Sequence, residues 1–280
     1  MGAGPLRLIG DPAISNELRE QGWQVEPETI ETPDPDDPEI VRIVEGDRRL
    51  ARRVRSAREG GGFPLVLAGN CNSCLGTVAG LGPVGVVWFD AHADFDTPDR
   101  SLGFFDGMGL AILTGNGWEL LRETIPGFTP ARERDVVLVG VRDLEEHQRA
   151  PLEASAMRVL PGASFESTEL LRALDELGRR TARTYLHIDL DVLDTSEGRA
   201  NRFAAAGGLS AQQLEWAVEM VFRRCTVAAA AITAYDPGLD EDGRVARAAS
   251  RVIRAVARCA LQSGPPPPGG PDASSSGRLR

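Results

Sequence analysis

Short apolar runs alternate with longer segments of helical periodicity along most of the chain. Ser210 followed by Gln213 ahead of apolar positions is a capping-box pattern, and the apolar side chains from Ile40 to Val54 have helical spacing. Continuous Val, Leu and Ile runs that alternate with helices are typical of a parallel sheet covered on both faces. We therefore predict an α/β fold, a three-layer αβα sandwich with a mainly parallel sheet. The predicted strands are LRLIG, PLVLAG, VGVVWFD, DVVLVG, TYLHIDLDVLD and VAAAAITAYD.

The carboxyl-terminal segment differs in composition from the rest of the 280 residues. From Ser263 onward it reads SGPPPPGGPDASSSGRLR, which has too little apolar surface to offset the entropy lost on ordering. We expect one domain over residues 1–262 and a disordered tail over residues 263–280.

Charge and hydropathy exclude some partners. The 31 basic residues, all arginine, stand against 41 acidic residues and give a net charge of −10, which argues against nucleic acid as a partner. No signal-peptide pattern and no apolar stretch of roughly 20 residues is present, so we expect no membrane partner and a cytoplasmic location. In that compartment the four cysteines, Cys71, Cys74, Cys225 and Cys259, are expected to be thiols.

Polar residues gather where the predicted strands end, which is where open parallel sheets bind ligands. Residues two apart on a strand project to the same side, so two triplets are expected to converge. These are Asp90, His92 and Asp94, and His187, Asp189 and Asp191. So many carboxylates would repel one another without cations. Mixed oxygen and nitrogen ligands favour Mn²⁺, Fe²⁺ or Co²⁺, whereas a solvated loop is the alternative for the Asp90, His92 and Asp94 triplet taken alone.

Three segments, AGNCNS, DAHADFDTP and DLDVLDT, resemble the hallmark segments of the arginase/agmatinase (ureohydrolase) family. Those hallmarks are a Gly-Gly-Asp-His-Ser turn, Asp-Ala-His-x-Asp and Asp-x-Asp-x-x-Asp-Pro, and order and spacing match from about residue 65 to about residue 260. The resemblance implies a homo-oligomeric enzyme with two Mn²⁺ ions. Such an enzyme cleaves a C–N bond of a linear guanidino or amidino compound by attack of a metal-bridging hydroxide.

The resemblance also implies the metal ligands. Asp90 and Asp189 would bridge the two ions, His92 and Asp191 would complete one, and Asp94 would bind the other and hold the hydroxide. The hallmark turn aligns Asn72 with the family's histidine ligand and Cys71 with the preceding aspartate. Because an amide oxygen is a weaker ligand than imidazole, we expect the ion near Asn72 and Asp94 to bind less tightly.

Departures from the family pattern point to an altered substrate. Asp106 aligns with a histidine near the site, Asp96 with an asparagine that contacts the substrate carboxylate, and Ala234 with the glutamate that grips the guanidinium. We therefore expect a modified arginine or an agmatine-like compound rather than L-arginine. The expected substrate contacts are Asp96, Asp143, Glu145 and Asp236, and the expected catalytic residues are Asp94, Asp106 and His187.

Other readings of these residues stay open. The alternative role of His187 is that of a buried, hydrogen-bonded histidine behind the ligands. His147 is expected at the solvated start of a helix. Cys71 and Cys74 have the spacing of a redox pair or half a zinc site, but a packed small thiol is the default reading of Cys71. Trp88 is expected in the core. The rival function is a non-catalytic or mononuclear arginase-like binding protein.

Overall fold

A six-stranded parallel sheet forms the centre of the protein. The computed structural model describes residues 2–31, 34, 36–99 and 104–264. The strands are β1 (Leu65–Leu67), β2 (Gly85–Phe89), β3 (Val136–Val139), β4 (Arg158–Leu160), β5 (Thr184–Asp189) and β6 (Val227–Thr233). They lie in the order β1-β6-β5-β2-β3-β4, and every neighbouring pair is parallel.

Helices precede, connect and follow these strands. They are α1 (Ala3–Ile9), α2 (Pro12–Glu20), α3 (Glu39–Glu59), α4 (Ser73–Leu81), α5 (Gly109–Leu113), α6 (Glu119–Arg122), α7 (Glu146–Ala154), α8 (Ser167–Arg180), α9 (Ala211–Arg224) and α10 (Arg244–Ser263). The predicted capping box starts α9, where the side chains of Ser210 and Gln213 each accept a hydrogen bond from the other's backbone N–H. The helical spacing that begins at Ile40 belongs to α3.

Each face of the sheet is covered by its own apolar core. On one face, Leu174 of α8, Leu214 of α9 and Val252 of α10 pack into the core that contains Leu186 of β5. On the other face, α3, α4 and α5 pack into a second core that contains Trp88 of β2. β2, β5 and β6 are buried along their full length, which explains their continuous apolar runs. The predicted three-layer fold is confirmed.

The structure differs from the predicted strands in two places: one predicted strand is a helix, and one strand was missed. The run LRLIG lies in α1, because Gly4 and Leu8, four residues apart, are buried while Leu6 and Ile9 are exposed, which is helical spacing. β4 was not predicted, since this three-residue edge strand begins with the exposed Arg158.

The carboxyl-terminal tail lies almost wholly outside the described residues. α10 runs through Ser263, so the predicted tail starts at the last residue of a helix, and residues 265–280 are not described. Among the described helices, none combines the length and the apolar character needed to cross a bilayer.

Candidate metal centre

The carboxyl ends of four strands bring polar side chains to one edge of the sheet. Cys71 follows β1, Asp90 follows β2, Asp189 ends β5 and Thr233 ends β6. All four side chains are buried. The four strands are neighbours in the sheet, so residues far apart in sequence meet here, as the strand-end rule predicts.

Two groups of side chains that could hold a metal ion lie at this edge and share Asp90. The first group is Asp90, His92 and Asp191, and the second is Cys71, Asp90 and Asp189. Within each group the ligand atoms lie within 4.8 Å of one another. Four of these five residues are predicted ligands that the structure brings together, and the fifth, Cys71, was not predicted as a ligand.

His92 forms the solvent-exposed side of the centre. Its Nδ1 lies 3.3 Å from Oδ1 of Asp90 and 3.4 Å from Oδ2 of Asp191, and its Nε2 lies 3.7 Å from Oδ2 of Asp143. The His92 side chain is 26% exposed, whereas those of Asp90 and Asp191 are buried. A substrate from solvent would meet the centre beside this imidazole.

Asp191 is held by residues outside both groups. Nδ2 of Asn201 donates to Oδ2 of Asp191 at 2.9 Å and to the carbonyl of Ala234 at 3.1 Å. The Arg142 guanidinium donates to the carbonyl of Asp191 at 2.7 Å. It also donates to the carbonyls of Gly140, Leu193, Ala205 and Ala206. These bonds tie the loop after β5 to the loop after β3.

Cys71 contacts Asp189, the second of the two predicted bridging ligands. Its Sγ donates to Oδ2 of Asp189 at 3.0 Å and lies 3.3 Å from Oγ1 of Thr233. Its backbone N–H donates to Oδ1 of Asp106 at 2.8 Å. Cys74 points elsewhere, with Sγ 3.6 Å from the carbonyl of Gly109. All four cysteines are free thiols, as expected.

Asn72 and Asp94 lie outside both groups in the described part of the chain. Nδ2 of Asn72 is 3.5 Å from Oδ1 of Asp106. The Oδ1 of Asn72 is buried without a hydrogen-bond partner among the described residues. Asp94 has φ +47°, so the chain has left the extended conformation there and alternation no longer aligns Asp94 with Asp90. Their roles as ligands stay predictions.

His187 is buried behind the centre. Its ring stacks on that of Trp88 with centroids 3.6 Å apart, its Nδ1 lies 2.8 Å from the Tyr185 hydroxyl, and its Nε2 lies 3.3 Å from Oγ1 of Thr233. Burial lowers the pKa of His187 to about 3, which keeps the ring neutral. These contacts favour the alternative that His187 supports the ligands, here through Thr233.

The predicted substrate-contacting acids are dispersed. Asp96 accepts hydrogen bonds from Gln148 at 2.9 Å and pairs with Nε2 of His147 at 3.1 Å. Of the others, Asp143 is close to His92, the Glu145 side chain is 79% exposed, and Asp236 accepts from the backbone N–H of Gly238. His147 lies in the first turn of α7 with its side chain 37% exposed, and its Nε2 also contacts Asp96.

The ionisation of these groups indicates that the centre suits a cation. Burial, followed by the charge of Asp191, raises the pKa of Asp90 to about 6, and burial also raises the pKa values of Asp94 and Asp189. Although burial opposes it, hydrogen bonding to Asp191 and Asp90 raises the pKa of His92 to about 12. The carboxylates therefore need positive charge nearby, and oxygen, nitrogen and sulfur donors suit divalent transition metals.

The comparisons with known proteins agree with this geometry. The model of the arginase family matches residues 12–259. This chain belongs to the arginase family. It is 31% identical to the arginase of Bacillus caldovelox over 220 residues, 75% of this chain and 73% of that protein. The arginase of Bacillus subtilis (strain 168) is 29% identical over 223 residues, 76% of this chain and 75% of that protein.

Solved structures of the arginase family share the fold. The crystal structure of arginase from Bacillus subtilis subsp. subtilis str. 168 superposes with a TM-score of 0.82 at 26% identity, covering 91% of each chain. Formimidoylglutamase from the same organism superposes with a TM-score of 0.67 at 20% identity, covering 88% of this chain and 80% of the other, which supports the fold alone.

Sequence reasoning about this arginase-family chain missed three supporting residues. Trp88 is buried as predicted, but its Nε1 also donates to Oδ2 of Asp90 at 2.9 Å. Asn201 and Thr233 were not singled out. Of these three residues, only Trp88 could have been found from the sequence, because a strand residue two positions before a ligand lies on the same side of the sheet as that ligand.

Proposed function

We propose that this arginase-family protein is a metal-dependent hydrolase that cleaves a C–N bond of a linear guanidino or amidino compound. The observation that carries the proposal is the pair of donor groups that share Asp90 at the carboxyl edge of the sheet. Divalent cations held there would lower the pKa of a bound water and polarise the amidine carbon. We propose two ions, and Mn²⁺, a homo-oligomer and a cytoplasmic location stay predictions.

Two further carboxyl groups are assigned to proton handling. Burial raises the pKa of Asp94 and raises that of Asp106 to about 6. We assign to Asp94 the delivery of a proton to the leaving amine, and to Asp106 a proton-exchanging role next to the turn that carries Cys71. His187 supports this chemistry from behind, through Thr233 and Asp189.

The side chains around the exposed His92 support the proposal of an altered substrate. Phe203 lies edge-on to His92, Phe104 packs against Phe203 with centroids 5.3 Å apart, and the Arg202 guanidinium lies 4.7 Å from the Phe203 ring centroid. The family's guanidinium-gripping acid is aligned with Ala234. We therefore assign recognition of the cationic head to Asp143, the predicted acid in contact with His92, with Glu145 and Asp236 at longer range.

A groove of about 1460 Å³ lies beside the turn that precedes Cys71. It runs between the amino-terminal helices, α3 and β1, and its lining includes Asn70, Phe104, Asp106 and Arg202. A substituent on the amidine would extend into this groove. A modified arginine or agmatine-like compound therefore fits better than a bare amidine.

The test is a screen for release of urea, ammonia or amine from guanidino and amidino compounds in the presence of Mn²⁺. The proposal predicts turnover of at least one compound, loss of that turnover with a chelator, and loss in Asp191→Ala. Asp175→Ala, at an exposed ion pair with Arg224, is the matched control and keeps the activity. A single weakly bound metal without turnover of any compound would favour the non-catalytic or mononuclear alternative.

A further inference from the structure

The thiol of Cys71 is buried against polar groups of the centre, which distinguishes it from a thiol that only fills space in an apolar core. Its side chain is 2% exposed, and its polar neighbours are the Asp189 carboxylate and the Thr233 hydroxyl. Its backbone N–H is fixed by Asp106, which holds the turn between β1 and α4 against the centre. The sulfur therefore contacts side chains at the carboxyl ends of β5 and β6, and the backbone of the same residue is fixed by Asp106.

The spacing of this group suits a single ion. Sγ of Cys71 and the carboxylate oxygens of Asp90 and Asp189 lie within 4.8 Å of one another. Ligand bonds of about 2.0–2.3 Å from one cation to oxygen and sulfur span such a set. The neighbouring group, Asp90, His92 and Asp191, offers oxygen and nitrogen only.

We propose that Cys71 is a thiolate ligand of one of the two metals and that it makes this position selective for a thiophilic ion, Zn²⁺ or Co²⁺, over Mn²⁺. This inference rests on the proposed two-metal centre. Thiolate ligands select softer ions, whereas carboxylate ligands suit Mn²⁺. The two positions therefore differ in preference although they share Asp90. On binding, the ion replaces the thiol proton that Cys71 donates to Asp189, and that proton passes to solvent.

Neighbouring residues provide matched controls. Cys74 is equally buried and lies three residues away, but its Sγ is directed at the carbonyl of Gly109. Asn72, which the hallmark turn aligns with the family's histidine, contacts Asp106. Substitutions at Cys71, Cys74 and Asn72 therefore distinguish a sulfur ligand, an adjacent thiol and an amide ligand within one turn.

The first test uses Co²⁺ as an optical probe. The full chain, stripped of metal and titrated with Co²⁺, is expected to develop a sulfur-to-cobalt charge-transfer band in the near ultraviolet. The band is expected to persist in Cys74→Ser and Asn72→Ala and to vanish in Cys71→Ser. Circular dichroism of each variant checks that it is folded. A missing band in folded wild type, or a band that survives in Cys71→Ser, would overturn the inference.

The second test measures metal preference without activity. Wild type dialysed against equimolar Mn²⁺ and Zn²⁺ is expected to retain one equivalent of Zn²⁺. Cys71→Ser is expected to lose Zn²⁺ affinity by more than the roughly 10–100-fold that outer-shell changes cause. Two equivalents of Mn²⁺ and no Zn²⁺, with amidine hydrolysis intact, would overturn the thiolate ligand and leave the hydrolase standing. No metal at either position would overturn the proposed function itself.

Discussion

The indole Nε1 of Trp88 donates a hydrogen bond of 2.9 Å to Oδ2 of Asp90. The donor lies within β2 and the acceptor follows its end, so the strand fixes the carboxylate that both candidate metal groups share. The same indole stacks on His187 with an interplanar angle of 12°. A core aromatic residue thus also orients the centre.

Trp88→Phe keeps the aromatic stack and removes the hydrogen bond to Asp90. We expect the affinity for divalent metal to fall by roughly 10–100-fold, because an unsupported ligand is less well oriented. Isothermal titration with Mn²⁺ measures the effect. Trp23→Phe, which removes an indole hydrogen bond to the carbonyl of Ala257 in the other core, should leave the affinity unchanged. Equal affinities for all three proteins would refute the supporting role of Trp88.

Asn201→Ala removes a buried donor to Asp191 and leaves the carbonyl of Ala234 without that bond. We expect metal affinity to drop by roughly 10–100-fold and stability to fall by about 1–3 kcal/mol. Metal titration and urea unfolding measure the two effects. Asn16→Ala on the exposed side of α2 is the control. A stability loss without any change in metal binding would show that Asn201 serves the fold alone.

Asp47→Asn tests a buried acid away from the centre. Oδ1 of Asp47 accepts from the backbone N–H of Gly76, Oδ2 has no partner among the described residues, and burial raises the pKa well above the ordinary value of 3.8. The folded protein binds this proton more tightly than the unfolded chain. Its stability therefore falls as the pH rises from the ordinary value toward the folded-state pKa.

The asparagine variant cannot titrate at position 47, so its stability is expected to fall less than that of wild type as the pH rises from the ordinary value of 3.8 toward the folded-state pKa. Urea unfolding across this range measures the difference. Asp175→Asn, at an exposed ion pair, is expected to follow the wild-type profile. Parallel profiles for wild type and Asp47→Asn would contradict the assignment.

Ala234 has φ +60°, a left-handed conformation that favours glycine, at the turn after β6. Ala234→Gly is expected to stabilise the protein by about 1 kcal/mol, because the left-handed conformation costs alanine roughly that much. Thermal unfolding measures it. Ala230→Gly, in the buried part of β6, should instead destabilise by about 1 kcal/mol. Destabilisation by both substitutions would show that the turn carries no such strain.

The sequence predicted the parts of the centre that obey strand geometry. Asp189 ends a buried parallel strand, Asp90 and Asp191 follow such strands, and the carboxyl ends of these strands share an edge. Asp94 follows the same pattern in sequence but lies in a left-handed turn, which alternation does not anticipate. The position of His187 behind Thr233 depends on stacking with Trp88, which no periodicity records.

The turn after β1 shows the limit of alignment by motif. The hallmark segment aligns Asn72 with a ligand, yet the side chain that the structure brings to Asp90 and Asp189 is that of Cys71. A shift of one residue in the alignment changes which side chain is assigned to the centre. In the structure, a hydrogen bond from the backbone N–H of Cys71 to Asp106, 35 residues later, fixes the turn with Cys71 facing the centre. Asn201 is a further long-range partner, since Asp191 and Ala234 meet only in the folded chain.

Metal stoichiometry of Asp90→Ala tests the central claim most directly. Asp90 is the residue common to both groups, so elemental analysis after dialysis against divalent metal should find two ions per chain in wild type. Folded Asp90→Ala is expected to retain neither ion tightly, whereas Asp175→Ala retains both. A folded Asp90→Ala protein that still holds two ions, or a wild-type protein that holds none, would contradict the account.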